Sequence, residues 1–460
     1  GPRERITSFR KVSTMTSQLT ESHTAYRSAF DQLQRDSNGV NLVSKLRTRG
    51  FSRFAEAGFP TTALESWRFT NVKPLTRRQF VAAAPTRLDP SKISRFELEN
   101  VDGPKLVCVN GRYSPELSNV GALPAGVELR SLADVVATEP ELVESQLAQL
   151  AHFDDPSSSF TALNTAFLQD GFVVRILDDT ILEAPIHLLF VGTGDGDAMS
   201  HPRTLVVVGT NSQVRLVESY VGVTDGASLT NAVTEVFVGD GAVVDHYKLL
   251  RESVEAFHVG SMHLRLGRSS TFSSHAITLG GAIARNEVIA ELQGEGGECT
   301  LNGLYLANQK QLIDNHTTIH HAKPHCESHE LYKGILDGQA RAVFNGKIIV
   351  AIDAQKTDAK QSNKTLLLSD EAQINTKPEL EIFADDVKCT HGATIGQLDT
   401  EALFYLRSRG LNLEQSRDIL IHAFASDLIG HIAIEPIRRQ LDAVLLQKLP
   451  GSEHMSFAVA

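Results

Sequence analysis

Cysteine is scarce: four residues in 460, at Cys108, Cys299, Cys326 and Cys389. Their scattered spacing makes no disulfide framework, and a reducing compartment such as the cytoplasm fits better. Tryptophan occurs once, as Trp67, and aromatic residues make up 6% of the chain. A carbohydrate-active β-protein needs aromatic platforms beside its catalytic carboxylates, so this chain is poorly equipped for that work. Positive charge is in deficit, with a formal net charge of −11, which argues against gripping nucleic acid. No apolar run approaches the roughly 20 residues a membrane helix needs; the longest notable one, Ile348 to Ile352, is a buried strand's worth. Nucleophile elbows, phosphate loops and dinucleotide glycine patterns are missing too. Gly294-Glu295-Gly296-Gly297 lacks the strand–helix setting and the lysine that a nucleotide site requires. The chain is not expected to hydrolyse ATP itself.

What is present is an ample core, with 42% hydrophobic and 22% charged residues, and a length that favours two or three domains. Residues 1–14 read as a tag or leader remnant: Gly1-Pro2 looks like a protease scar and Met15 like a start. The segment is also basic and rich in Ser and Thr, so a transit-peptide remnant would make the plastid stroma the alternative compartment. Residues 15–168 read as a helical domain with a short β element. Helical spacing runs from Ser17 to about Phe59, Pro60 breaks it, and Trp67 follows as a packing anchor. A hairpin is predicted at Lys105 to Val109, turning at Asn110-Gly111, then helices over Leu132–Ala151 and Phe160–Leu168. From 169 to 398 short β-branched strands succeed one another, punctuated by glycines and without crossover helices. The rhythm predicts a parallel β-helix, the rival being a large antiparallel sandwich or jelly roll. Residues 399–460 return to helix. Thr400–Ser408 ends at Gly410, Asn412 and Gln415 form a capping box, Ile419, Leu420, Ala423, Phe424, Leu428 and Ile429 make an apolar stripe, and Pro436 opens a last helix.

One stretch concentrates the chemistry. Glu379 to Phe383 alternates as a strand should, and Cys389-Thr390-His391-Gly392 follows. Side chains two apart on a strand share a face, so Cys389 and His391 project together. A thiolate beside an imidazole is half a site for iron or zinc, and the remaining ligands must come from another rung, another chain or bound sulfide. Equally, a free cysteine often only packs. A second group, His316, His320, His321, His325, Cys326 and His329, is dense enough for metal but has no fixed ligand spacing; its histidines can instead satisfy buried carbonyls or line a corner. Asp353 to Asn363 mixes charges of both signs and reads as a solvated loop or polar turn ladder.

Taken together, several runs resemble the SufB/SufD family of iron–sulfur cluster assembly proteins. These are Leu331-Tyr332-Lys333-Gly334-Ile335-Leu336, Arg341-Ala342-Val343-Phe344-Asn345-Gly346, Gln355-Lys356-Thr357-Asp358, Asn375-Thr376-Lys377-Pro378-Glu379, Asp385-Asp386-Val387-Lys388-Cys389-Thr390-His391-Gly392-Ala393-Thr394 and Phe404-Tyr405-Leu406-Arg407-Ser408-Arg409-Gly410. The likeness is continuous from about Tyr332 to Leu428, and the Cys-Thr-His-Gly-Ala-Thr run looks like the SufD branch. The resemblance implies a mainly β fold, a right-handed parallel β-helix core flanked by N-terminal and C-terminal α-helical domains. It implies a non-catalytic scaffold that pairs with a SufB-like paralogue through the β-helix core and docks a SufC-like ATPase through its C-terminal helices, near 399–449. ATP would then enter only through that partner. It also implies a transient iron–sulfur cluster at the partner interface, with His391, by motif match, as a ligand and Cys389 as a less certain one. The pairing surface is expected near Phe344–Ile352 and Glu379–Thr394, and the chain alone is expected to homodimerise, because an open sheet end leaves unpaired strand groups. The competing readings are a β-helix carbohydrate-active enzyme and a stand-alone metalloprotein built on the histidine-rich segment.

Overall fold

The structure is a computed structural model that describes residues 25–35, 41–98, 101–194 and 196–448. The leader remnant expected at 1–14 lies outside them. Among the described residues two long sheets face each other, one of 11 strands and one of 10. The chain alternates between them, so each passage through both sheets is one turn of a parallel β-solenoid, about eight turns in all. Successive strands of one sheet are parallel and in register. Leu312 lies against Arg341 and Arg341 against Gln373, about 30 residues per turn as in other repeat coils.

Strand alternation sends every second side chain inward. In the first sheet Val236, Leu264, Ala290, Ile319, Ile348 and Leu380 stack in one register column. In the second, Val244, Phe272, Cys299, Ser328, Ala359 and Cys389 do the same. No single turn could bury its own inner face. Stacked, with Ile348, Ala359, Leu380 and Cys389 in a smaller cluster at the last turns, they form one contiguous core from Leu106 to Ala372. Three of the four cysteines are buried inside it and all four are free thiols.

One corner of the coil repeats with unusual regularity. Asp179, Asn211, Gly241, Ser269, Gly296, His325 and Lys356 all have positive φ, between 51° and 70°. Each donates its N–H to a carbonyl of the next turn, as Asn211 does to Asp240 (2.9 Å) and His325 to Gln355 (2.9 Å). The left-handed conformation turns the N–H along the coil axis, and glycine serves at two of these corners because it reaches that region without steric cost.

The two ends of the coil differ. At the N-terminal end Val127–Ser131 pairs antiparallel with Gly171–Ile176, and Lys105–Val109 is covered by Arg112–Tyr113. That hairpin turns at Asn110 (φ 51°) and Gly111 (φ 79°), as the Asn-Gly pair predicts. At the other end Gln373–Ile382 and Lys388–Gly396 are the last strands, and among the described residues no further strand pairs with them.

Helices flank the coil. Asn41–Ala57 and Ser159–Ala166 pack with Phe30, Phe51, Phe54 and Phe160 in an aromatic cluster. Trp67 is buried there as expected, stacked on Phe160 at 5.4 Å, with the Arg285 guanidinium 3.9 Å from its ring. The helix expected over Leu132–Ala151 is broken into Leu132–Thr138 and Glu141–Glu144. Pro140 explains the break, since the residue before a proline is pushed out of helical conformation, and Glu139 has φ −145°.

At the C-terminus, Leu413–Ile429 carries the expected capping box: Asn412 Oδ1 accepts from the Gln415 N–H (2.8 Å) and Gln415 Oε1 from the Asn412 N–H (3.2 Å). Gly410, at φ +97°, closes the helix before it. Of the expected stripe Leu428 and Ile429 are buried, Ile419, Leu420 and Phe424 half-buried and Ala423 exposed, and Ile421 and Ala425 complete the buried face. Among the described residues no helix is long and apolar enough to cross a membrane.

Candidate functional site at the open rung

Cys389 and His391 lie on Lys388–Gly396, the final strand of the second sheet. Cys389 is in register with Ala359 and His391 with Gln361, both inward-facing and buried. The two side chains therefore face the core axis, on one side of the strand as the alternation predicts. Because no further rung follows among the described residues, His391 is exposed and Cys389 half-buried. Burial pushes the Cys389 thiol up from its ordinary value, partly offset by the Ala359 N–H and reinforced by the Asp358 carboxylate. A thiol held in its protonated form is the weaker ligand of the pair. Lys388 is in register with Asp358 on the outward face, too far round the strand to lower it.

The rim of this open end is apolar and charged in turn. Ile382, Phe383 and Ile395 are exposed, Phe383 to 63%. Around them Lys347 pairs with Glu381 (2.7 Å), Lys360 with Asp358 (2.9 Å) and Lys377 with Glu379 (3.0 Å). Lys377 also reaches Glu65 of the N-terminal segment (2.6 Å), beside a cleft of about 340 Å³ lined by Arg68, His316 and Asn345.

The second histidine group does not come together. His316 is held by buried Asp314 at 2.9 Å, His321 bonds Ser328 Oγ inside the core at 2.9 Å, His325 is a corner residue, and exposed His329 stands 3.9 Å from Glu327. Cys326 is buried and points at the Gly294 carbonyl. Among the described residues no three His, Cys, Asp or Glu side chains gather to hold a metal ion. His391 and Cys389 stand together on the last strand without a third such side chain beside them among the described residues.

Asp353 to Asn363, expected as a solvated loop or polar turn ladder, is turn and irregular chain only as far as Thr357. Asp358–Leu367 is a full strand, with Ala359, Gln361, Asn363 and Thr365 buried inward and Lys360 and Lys364 exposed outward. Their period-two alternation was the available signal, masked because the inward residues are polar. Gln361 Nε2 donates to Glu330 Oε2 at 2.6 Å, and Asn363 Nδ2 to Thr376 Oγ1 at 3.1 Å.

A stacked parallel coil whose last rung bears a histidine and a cysteine side by side defines a class of protein, the β-solenoids with an open terminal rung among the described residues. Residues 190–424 match the family model for the SUF system FeS cluster assembly SufBD core domain, and residues 18–188 match the SufBD protein N-terminal region. An iron–sulfur cluster assembly SufBD family protein of Synechocystis is 38% identical over 82% of this chain and 84% of its own length. The iron–sulfur cluster assembly protein SufD of Escherichia coli is 32% identical, covering 86% and 90%. A chloroplastic protein of Arabidopsis thaliana, ABCI7, is 28% identical, covering 89% and 87%. The chain belongs to the SufBD family and is SufD-like within it. Its role is in iron–sulfur cluster assembly.

Proposed function

We propose that the chain is a non-catalytic scaffold whose bare last rung is the assembly face. There it meets a SufB-like paralogue, and His391, with Cys389 secondary, ligates iron of the nascent cluster. The observation that carries this is the position of both donors on the inward side of a strand that, among the described residues, no further strand covers. A second solenoid end placed against it would pair the open strands, bury Ile382, Phe383 and Ile395, and bring the donors the half-site lacks. The cluster is cargo, and the chain's part is to hold and orient. Imidazole ligates in its neutral form through one ring nitrogen, whereas the Cys389 thiol must first lose a proton that its surroundings favour keeping. Alone, the chain would use the same face for a second copy of itself. ATP would act through a SufC-like ATPase seated on the C-terminal helices, in the reducing compartment that the cysteine pattern favours.

Anaerobic assembly of the complex tests the ligand assignment. His391→Ala should lower bound iron, sulfide and visible absorbance while the chain still folds and captures its partners, and Cys389→Ser should lower them less. Full cluster yield from His391→Ala would refute the assignment, and loss from Cys389→Ser alone would exchange the two roles.

A further inference from the structure

Beneath His391 the solenoid is not apolar. Its register column continues downward through Gln361 and Glu330 before reaching Leu301. Gln361 and Glu330 are each only 3% exposed. The Gln361 amide spends its Nε2 on Glu330 Oε2, one rung below, at 2.6 Å. Its carbonyl Oε1 is buried without a hydrogen-bond partner. Because the amide is planar and its nitrogen is tied to the lower rung, that carbonyl is left as a free acceptor under the strand that carries His391. Neighbouring rungs lie about 4.8 Å apart, within reach of two side chains in one column.

A second observation, on the opposite sheet, shows that room has been made for this amide. A Cβ added at Gly346 would fall 2.1 Å from Gln361 Nε2 and 2.6 Å from its Cδ. Gly346 is not among the glycines of positive φ, so backbone conformation does not call for glycine there. The missing side chain is the space the Gln361 amide occupies.

We infer that Gln361 positions His391: its carbonyl accepts the imidazole N–H, with Glu330 fixing the amide's orientation and Gly346 giving it room. A neutral imidazole has one N–H and one lone pair. With the N–H held downward, the other nitrogen presents its lone pair away from the core, toward the space beyond the last rung. Ligating histidines commonly donate their second nitrogen to such a partner, which fixes tautomer and ring orientation. The inference rests on the reading of His391 as a ligand and gives that residue a definite tautomer.

The test uses the full chain with isotopically labelled histidine, and cobalt(II) as the probe metal. The ring-nitrogen shifts of His391 should report one tautomer in the wild type and a mixture in Gln361→Leu. Cobalt(II) affinity should fall in Gln361→Leu by about ten- to a hundredfold, the usual effect of losing such a partner. Gly346→Ala, which keeps Gln361 but intrudes on its amide, should shift both readouts the same way. The paired swap Glu330→Gln with Gln361→Glu preserves the hydrogen bond and leaves an acceptor under His391, so it should restore both. Unchanged nitrogen shifts and affinity in a folded Gln361→Leu would overturn the inference, as would a swap that restores neither. His391→Ala separates the two claims. If it leaves cobalt binding intact, the ligand reading fails by itself, while the nitrogen shifts still decide whether Gln361 holds the ring.

Discussion

Two of the carboxylates buried in the solenoid walls, Asp314 and Glu330, meet burial with opposite consequences. Burial alone would raise Asp314, but the Arg285 guanidinium, with His316 and Thr70, holds it well below the usual carboxylate range. Glu330 has no cation. Burial pushes it up to about 7, and the hydrogen bond from Gln361 only moderates that rise. Its ordinary value is 4.5, so the folded protein prefers the neutral acid. Stability from this group is full below about pH 4.5 and drains away as pH rises through about 7. With 1.36 kcal/mol per pKa unit, the loss is on the order of 3 kcal/mol at pH 8. Glu330→Gln keeps an acceptor for Gln361 and cannot ionise. It should therefore be more stable than the wild type in urea at pH 8, and the gap should close toward pH 5. An equal gap at both pH values would show that Glu330 does not titrate as described.

The C-terminal helices change the picture of a docking surface. Their apolar stripe is spent on the molecule itself: Ile421, Leu428, Ile437 and Leu445 pack on Tyr247, Leu304, Ile335 and Leu366 of the solenoid's outer face. Lys333 fastens the contact, its Nζ donating to the Phe424 carbonyl (2.9 Å) and pairing with Asp427. Removing the helices would bare that sheet, so deletion is a poor probe of partner binding. What stays exposed is Phe404 (75%), Tyr405 and Leu413, on and just after Thr400–Ser408. If the ATPase docks on these helices, Phe404→Glu should abolish its co-purification without lowering the melting temperature; intact co-purification would move the docking surface elsewhere. These helices were legible in outline, since caps and breakers act within a turn or two of the residues that form them. Which face was buried was legible only in part: Leu428 and Ile429 belong to the expected stripe and Ile421 and Ala425 do not, because what the distant sheet offers a helix face is not written in the helix itself. The same holds for the site. Strand alternation put Cys389 and His391 on one face, whereas Gln361 and Glu330 were invisible: a polar residue inside a coil looks like a polar residue in a loop until its partner, some 30 residues away along the repeat, is known.

At the scale of the molecule the β-helix rhythm and an open end at the last rungs were readable, whereas the antiparallel closure of the other end by Val127–Ser131 was not, since a strand's sequence does not say which strand will lie beside it in space. That difference has a kinetic face. In a stacked coil each turn is supported mainly by its neighbours, and opening proceeds most easily where a neighbour is missing. The N-terminal end is closed by antiparallel pairing, so the bare rung is where the coil should breathe. Amide deuterium uptake should be fastest across Gln373–Ile382 and Lys388–Gly396 and slow progressively toward Phe257–Leu266. Binding a second solenoid end should flatten the gradient from the bare rung inward. A uniform uptake profile, or one that partner binding leaves untouched, would contradict this. The corner N–H groups sharpen the expectation. Each is tied to the turn that follows it, as Lys356 is to the Asp386 carbonyl, so its exchange clock is set by the next turn and not by its own. The order in which those corners exchange would then read out, turn by turn, how far an opening that starts at the assembly face travels into the protein.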